Sequence, residues 1–426
     1  MQSECIIPVF PPLRVVLAEM NEANAQFSRG LMYDTGQGAP QDYAEAMRCY
    51  RKAADQGLAC AKHNLGRMYV LGNGVAPDDQ AAARWFREAA EQGFARAQYT
   101  LGRMHVQGKG VAQDLVEGAK WYRKAADQGN PYAMNNLGVM YRNGQGVSRD
   151  ATEAVRWFRA AADQGNAAAQ LNLGRIYDTG EGVPQDLAEA MRCYRNAAEQ
   201  GIVRAQFHVG RFFDQGRGVP VDHAEAIKWF RMAADQGDAK AQFSLGLSYD
   251  SGLGVPTDRK AAIHKAAIKW YRRAAENGND AAQNNLGRMF EDGRLVPQDY
   301  AEAANWFRKA AEQNNSAAQF NLGRMYENGR GVARDYAMAI QWYRNASERG
   351  DAAAQFNLGT LYGSGRGVIA DYVEAHKWLA LAASRFPAAE KDKRNRALRN
   401  GNLVASRMTT TQIAEAQRRE REWKPA

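Results

Sequence analysis

A glycine preceded by Leu or Val recurs every 36 residues, at Gly66, Gly102, Gly138, Gly174, Gly210 and Gly246. Gly30 extends the series backwards. After one step of 41 residues to Gly287 the period resumes at Gly323 and Gly359. Self-similarity at a fixed period of this size is the mark of a repeat array, in which each unit is too small to bury its own apolar face and must stack on its neighbours. Ten units account for residues 23–383. They leave an N-terminal segment, 1–22, and a basic C-terminal stretch, 384–426, read as a linker and a capping helix.

The fifth unit shows what each repeat is. Ala169, Leu173, Ile176 and Tyr177 stand at i, i+4, i+7 and i+8, one face of a helix. Gly180 and Gly182 end it. Asp186 follows, with Glu189 three residues on, an N-cap with a reaching carboxylate. Ala190, Cys193, Tyr194, Ala197 and Ala198 then line one face of a second helix, closed by Gly201. The cap aspartate recurs in all ten units, at Asp42, Asp78, Asp114, Asp150, Asp186, Asp222, Asp258, Asp299, Asp335 and Asp371. The pattern predicts an all-α solenoid of ten helix-turn-helix repeats, twenty helices in alternation.

The repeated Gly-x-Gly-Val turn, the cap Asp, Trp-Tyr/Phe-Arg-x-Ala-Ala and Asp/Glu-Gln-Gly together resemble the Sel-one-like repeats, relatives of the tetratricopeptide repeats. They stand in one piece as GKGVAQDLVEGAKWYRKAADQG at Gly108–Gly129. The resemblance implies a right-handed superhelix and a scaffold or adaptor role, often in bacteria. It also implies that Met408–Trp423 is a closing helix, with Ile413 and Ala416 turned inward.

Three places depart from the pattern. Leu295 replaces the second turn glycine of the eighth unit and must strain or alter the turn. Asn314 replaces the closing glycine of the same unit, a milder change. The seventh unit carries a tandem copy, Lys260–His264 beside Lys265–Lys269. Five extra residues add about 7.5 Å of helix and turn its face by about 140°, so the second helix should be longer or displaced and the extra piece cannot all join the core stripe.

Catalytic chemistry finds no foothold. There is no S-x-x-K, G-x-S-x-G or H-E-x-x-H, and the six histidines fall in different registers. Gly-x-Gly occurs in nine of the ten units, but always after a helix, so it is turn chemistry and not a phosphate cradle. A cysteine-rich branch of the family has been described as β-lactamases or penicillin binders, which implies an enzyme alternative. Cys5, Cys49, Cys60 and Cys193 lack that branch's pairing, and Cys49 and Cys193 take the place held by Trp in the other repeats, where a small buried residue fits. No cofactor and no metal are expected.

Charge narrows the partner. The chain carries +9, of which +6 lies from Ser384 onward, leaving the repeats nearly neutral. Nucleic-acid binding through the basic tail is a further alternative, disfavoured because a phosphate footprint needs many unpaired cations. No apolar run is long enough to span a bilayer. The first twenty residues make a poor signal peptide, so a cytoplasmic location is expected, or a periplasmic or secreted one should the start be mis-assigned and hide a leader.

A binding face can be read by numbering each first helix from its key glycine. The core lies at five and one before it and two and three after. A second stripe, six and three before and one and four after, lies nearly opposite. It should be polar if it merely met water. Three before stand Phe27, Tyr99, Leu171, Phe207, Phe243, Phe320 and Phe356; one after stand Arg67, Arg103, Arg175, Arg211, Arg288 and Arg324. Asn64, Asn136, Asn172, Asn285, Asn321 and Asn357 lie beside them. Aromatic and Arg residues are the types enriched where binding energy concentrates, and the resemblance places the matching positions in a concave groove. Two readings stay open. The stripe grips a protein or peptide partner, possibly acidic, with the chain itself a monomer; or its rings pack between repeats and its arginines pair with Asp178, Asp214 or Glu291 on their own helices.

Overall fold

A computed structural model describes residues 22–255 and 260–425. Residues 1–21, with Cys5, and the cap Asp258 lie outside the described residues. The described residues form α-helices and one short 3-10 turn, with no strand among them. Two compact units divide the chain, the first ending at Ala205 and the second beginning at Gln206.

In the first unit the helices alternate as expected: α1 (Glu22–Thr35), α2 (Tyr43–Asp55), α3 (Ala59–Leu71), α4 (Asp79–Glu91), α5 (Ala95–Gln107), α6 (Leu115–Asp127), α7 (Pro131–Asn143), α8 (Ala151–Asp163), α9 (Ala167–Thr179) and α10 (Leu187–Glu199). The helix α11 (Val203–Gln215) carries the division. The second unit continues with α12 (His223–Asp235), α13 (Ala239–Ser251), α14 (Lys260–Glu276), α15 (Asp280–Asp292), α16 (Tyr300–Glu312), α17 (Ser316–Asn328), α18 (Tyr336–Glu348), α19 (Ala352–Ser364) and α20 (Tyr372–Arg385). Odd-numbered helices are the first of each pair.

The second helices start where the aspartates stand. Asp42 accepts from the Glu45 amide at 3.0 Å and Asp150 from the Glu153 amide at 3.0 Å, and the other described cap aspartates do the same work. Each such cap contributes about 1 kcal/mol. Most first helices carry caps as well, from Asn130, Asn166, Asp238, Asn279, Asn315 and Asp351. The first helices end on left-handed glycines such as Gly72 and Gly108.

The key glycine is where the two helices of a pair meet. A Cβ on Gly30 would stand 2.6 Å from the Tyr50 ring, on Gly138 2.8 Å from Phe158, and on Gly174 2.7 Å from Tyr194. The same holds in the second unit for Gly246 with Tyr271 and Gly323 with Tyr343. In the first nine repeats one ring of the second helix thus packs on bare backbone, and fully buried alanines complete the seam. Of the core positions assigned from sequence, the last is only half-buried in Tyr69, Tyr141 and Tyr249. Its hydroxyl reaches an arginine from the preceding second helix, as Arg51 donates to Tyr69 at 3.0 Å and Arg308 to Tyr326 at 3.2 Å.

A glutamine interlock ties successive repeats. Gln170 donates to the Ala162 carbonyl at 3.3 Å and accepts from Gln200 at 2.8 Å, and Gln283 repeats this with Ala275 and Gln313. These glutamines are buried, so the bonds satisfy amides that would otherwise be costly.

The irregular repeats behave in physical terms. α14 has 17 residues where its counterparts have 13. The growth is taken up at its start: Ala262–Ala266 are not buried, while Ala267, Tyr271, Ala274 and Ala275 keep the core register. Leu295 does hold the left-handed turn, at φ 67. In an ordinary repeat a Cβ there would collide with the preceding second helix, as on Gly146, 2.1 Å from the Leu115 carbonyl oxygen. Leu295 follows the lengthened α14 and packs against the cluster of Ala267, Tyr271 and Met289. Asn314 also sits at φ 67.

The C-terminal stretch holds two helices, not one: α21 (Lys391–Ala405), where a linker was expected, and α22 (Thr410–Glu422). Thr409 and Gln412 form a capping box at the start of α22. Ala416 is buried, Ile413 half-buried, and Trp423 meets Trp378 edge-on at 6.3 Å. Arg419 bonds Glu374 at 2.8 Å, so the cover is fastened by charge as well as by apolar area.

Two outcomes follow from this packing. Gly138→Ala should cost about 1–3 kcal/mol, as overpacking does, read as a lowered denaturant midpoint with unchanged slope. Deletion after Gly401 should expose Trp378 and lower the melting temperature with increased self-association, measured by calorimetry and light scattering.

Candidate functional site

The second stripe is built by the first helices alone, and its three residue types have different fates. The rings lie against their own second helix. Phe207 meets Phe230 at 5.9 Å, Phe243 meets Tyr271 at 5.9 Å, and Phe320 meets Tyr343 at 5.8 Å between ring centroids. Phe356 packs on the last core clusters. All four stay half-buried, so each ring is supported from within and still meets solvent.

The asparagines are spent between repeats. Asn172 donates to Asn135 at 3.0 Å; Asn321, itself buried, donates to Asn284 at 3.1 Å; Asn285 bonds the Tyr271 hydroxyl. Asn357 likewise donates to the Tyr343 hydroxyl at 3.0 Å. These amides hold the stack in register.

The arginines divide. Arg67 pairs with the buried carboxylate of Asp34 at 2.5 Å, and Arg324 with the buried Glu291 at 2.6 Å, each reaching back one repeat. The i+3 pairing of Glu291 with Arg288 is replaced by this cross-repeat bond. Arg211 is half-buried, with its guanidinium 6.0 Å from the Phe207 ring centre. Arg103, Arg175 and Arg288 are exposed.

Sequence reasoning offered the acids four residues after the key glycine only as partners for arginines on their own helices, and missed their bonds to the ring hydroxyls and to the next repeat. Asp34, Asp250 and Glu327 bond the ring hydroxyls of Tyr50, Tyr271 and Tyr343. Asp250 also takes a bidentate bond from Arg294, at 2.8 and 3.0 Å. The column was legible as Asp34, Asp178, Asp214, Asp250, Glu291 and Glu327 at one register.

Cys49, Cys60 and Cys193 are free and buried; burial first, then Glu189, pushes Cys193 up to about 11, and Cys49 rises for like reasons. Among the described residues no cluster of His, Cys, Asp and Glu is arranged to hold a metal, and no helix is long and apolar enough to cross a membrane.

Comparison with known proteins agrees with the repeat. A family model described as Sel1 repeat matches ten successive segments, residues 23–58, 61–94, 95–130, 131–166, 167–202, 203–238, 239–279, 280–315, 316–351 and 352–385. Among solved structures, the chain is similar to c5321, a protective antigen present in uropathogenic Escherichia coli strains and displaying an SLR fold. The two are 39% identical, over 94% of this chain and 84% of that one, with a TM-score of 0.79. A Sel1 repeat protein from Oxalobacter formigenes is 34% identical over 84% of this chain and 95% of that one, with a TM-score of 0.61. No curated protein matches.

In the second repeat the stripe's ring position is held by His63, packed 5.3 Å from Phe86 and 5.4 Å from Phe94. Burial, with the charges of Arg67 and Arg96, pushes its pKa down to about 4 from 6.5. The unfolded chain then binds the proton more readily than the folded one. Stability from this group is present above pH 6.5 and lost as pH falls toward about 4. His63→Phe should flatten that part of the stability–pH curve relative to the parent, measured by denaturation at each pH.

Proposed function

The chain belongs to the Sel1 repeat family, and from that premise we propose that it holds a segment of a partner protein along the stripe of its first helices. Sel1-repeat proteins are generally protein-interaction scaffolds, and the matches indicate no catalytic family. The supporting observation is that Arg103, Arg175 and Arg288 stand exposed on that stripe among half-buried rings. Rings braced from behind lose little conformational entropy on contact, and guanidinium groups supply directed, bidentate bonds. The partner segment is extended or helical and carries carboxylates, because the stripe's unspent charge is positive. In tetratricopeptide-like folds this stripe is the wall of a concave groove.

Arg67, Arg324 and the asparagines are positioning residues in this reading: they set the spacing of the repeats and hence of the contacts. The exposed arginines do the binding. Reversing charge at Arg175, Arg211 and Arg288 together should leave the fold intact and weaken capture of the native partner, most at low salt, where steering is strongest. A control with alanine at Asp42, Asp78 and Asp114 should lose about 1 kcal/mol of stability per cap, with binding lost only as folding is lost. Partner capture from the native cell, beside melting curves, separates the two. A triple variant that folds and binds as the parent does overturns the assignment.

A further inference from the structure

The acid column that neutralises the stripe is interrupted in three successive repeats. Four residues after the key glycine, the second, third and fourth repeats carry Val70, Val106 and Arg142 in place of Asp or Glu. In three repeats that have the acid, it takes an arginine from the next repeat: Asp34 takes Arg67, Glu291 takes Arg324 and Asp250 takes Arg294. Where it is missing, Arg103 and Arg175 stand exposed and, among the described residues, form no ion pair. The nearby acids are committed: Asp178 to the Tyr194 hydroxyl at 3.3 Å, and Glu181 to Arg149 at 3.0 Å.

At one of these steps the charge is doubled. Arg142 stands in the acid's place and donates to Asn172 at 3.4 Å, while Asn172 is itself held by Asn135 at 3.0 Å. Its guanidinium lies 5.9 Å from the Phe158 ring centre. Burial and the neighbouring charge of Arg175 both lower the Arg142 pKa. Two like charges set together on a fixed backbone raise the energy of the free protein and attract an anion that fits between them. Toward the other end of α7, Tyr132 is exposed and pairs with Tyr99 at 6.1 Å. Tyr132 and Arg142 are ten residues apart, about 15 Å along a helix, the reach of four to five residues of extended chain.

We propose that repeats three to five of the first unit are the anchor of the partner segment, with a Glu or Asp carboxylate seated between Arg142 and Arg175 and an apolar side chain lying on the Tyr99–Tyr132 pair. This rests on the stripe being the binding face and names where on it, and by what chemistry, the partner is gripped.

The test uses the full chain and an end-blocked, fluorescein-labelled peptide of alternating glutamate and leucine, against the same peptide with glutamine for glutamate. Anisotropy titration should show the glutamate peptide binding about tenfold tighter, the scale of a charge-assisted bidentate contact. That ratio should fall to about one in Arg142→Glu, which restores the acid of the repeat and should melt no lower than the parent. The pair Arg211→Glu, Arg288→Glu, on the stripe but outside the window, should lower the ratio by less than Arg142→Glu does. A parent ratio near one, or a ratio that survives Arg142→Glu, overturns the anchor. If the ratio survives Arg142→Glu and vanishes in the outer pair, the stripe still binds but not here; if no variant changes it, both readings fail. Should Arg142→Glu melt lower, Arg142→Gln removes the charge alone, and a ratio retained there overturns the anchor.

Discussion

Everything in the fold depends on an aromatic ring lying on a glycine. In each of the first nine repeats the second helix presses a Tyr or Phe onto the first at a residue with no side chain, and in the tenth Leu379 does so on Gly359. A Cβ at that point would stand closer than real atoms do, so the pair would have to open. The ring is also the hub of the polar network. In several repeats it is a tyrosine whose hydroxyl bonds an acid on its own first helix and an asparagine on the next, as Tyr343 does with Glu327 and Asn357. One contact therefore sets the distance within a repeat and the register between repeats.

The cost of burying those polar groups is met by completing their bonds. Asp34 is buried yet accepts from both Tyr50 and Arg67. Buried glutamines donate to helix ends, and several, such as Gln98, also accept from the following repeat. A half-made network of this kind would be worse than an apolar one, and most repeats carry the glutamine bond to the preceding helix end. The lengthening of α14 is accordingly confined to its start: its later residues carry Tyr271, and Asn277 just beyond its end keeps the interlock by donating to Gln242 at 2.9 Å.

Helices, turns and caps were legible because each is decided by a few adjacent residues. Asp42 followed by Glu45, or Gly180 followed by Gly182, specifies its local backbone with no help from elsewhere. The buried fate of Cys49 and Cys193 was legible too, from the register they share with Trp. The roles within the stripe were not. Arg324 and Arg175 occupy the same position relative to the key glycine, but one pairs with the buried Glu291 and the other is exposed. What separates them is the identity of the residue one repeat away, which local pattern does not weigh. The helix α21 was missed for another reason: Lys391–Ala405 is strongly polar, and it is held by burying only Ala397, Gly401 and Val404.

That dependence on the neighbouring repeat also decides which positions of so regular an array are free to vary. Stacking demands the same glycine, ring and amide in nearly every unit, so those positions cannot carry specificity. The column four residues after the glycine is different, because a repeat survives with Asp34, Val70, Val106 or Arg142 there. Where it is Asp34 or Glu291, the charge of the following arginine, Arg67 or Arg324, is taken up in an ion pair within the protein. Where it is not, the same arginine is left to the surface with its position still fixed by the stack. A change at one site thus converts a structural ion pair into an exposed, preorganised cation without disturbing the helix beneath it. Sequence variation in this single column is enough to change the pattern of charge from repeat to repeat without changing the helices that carry it.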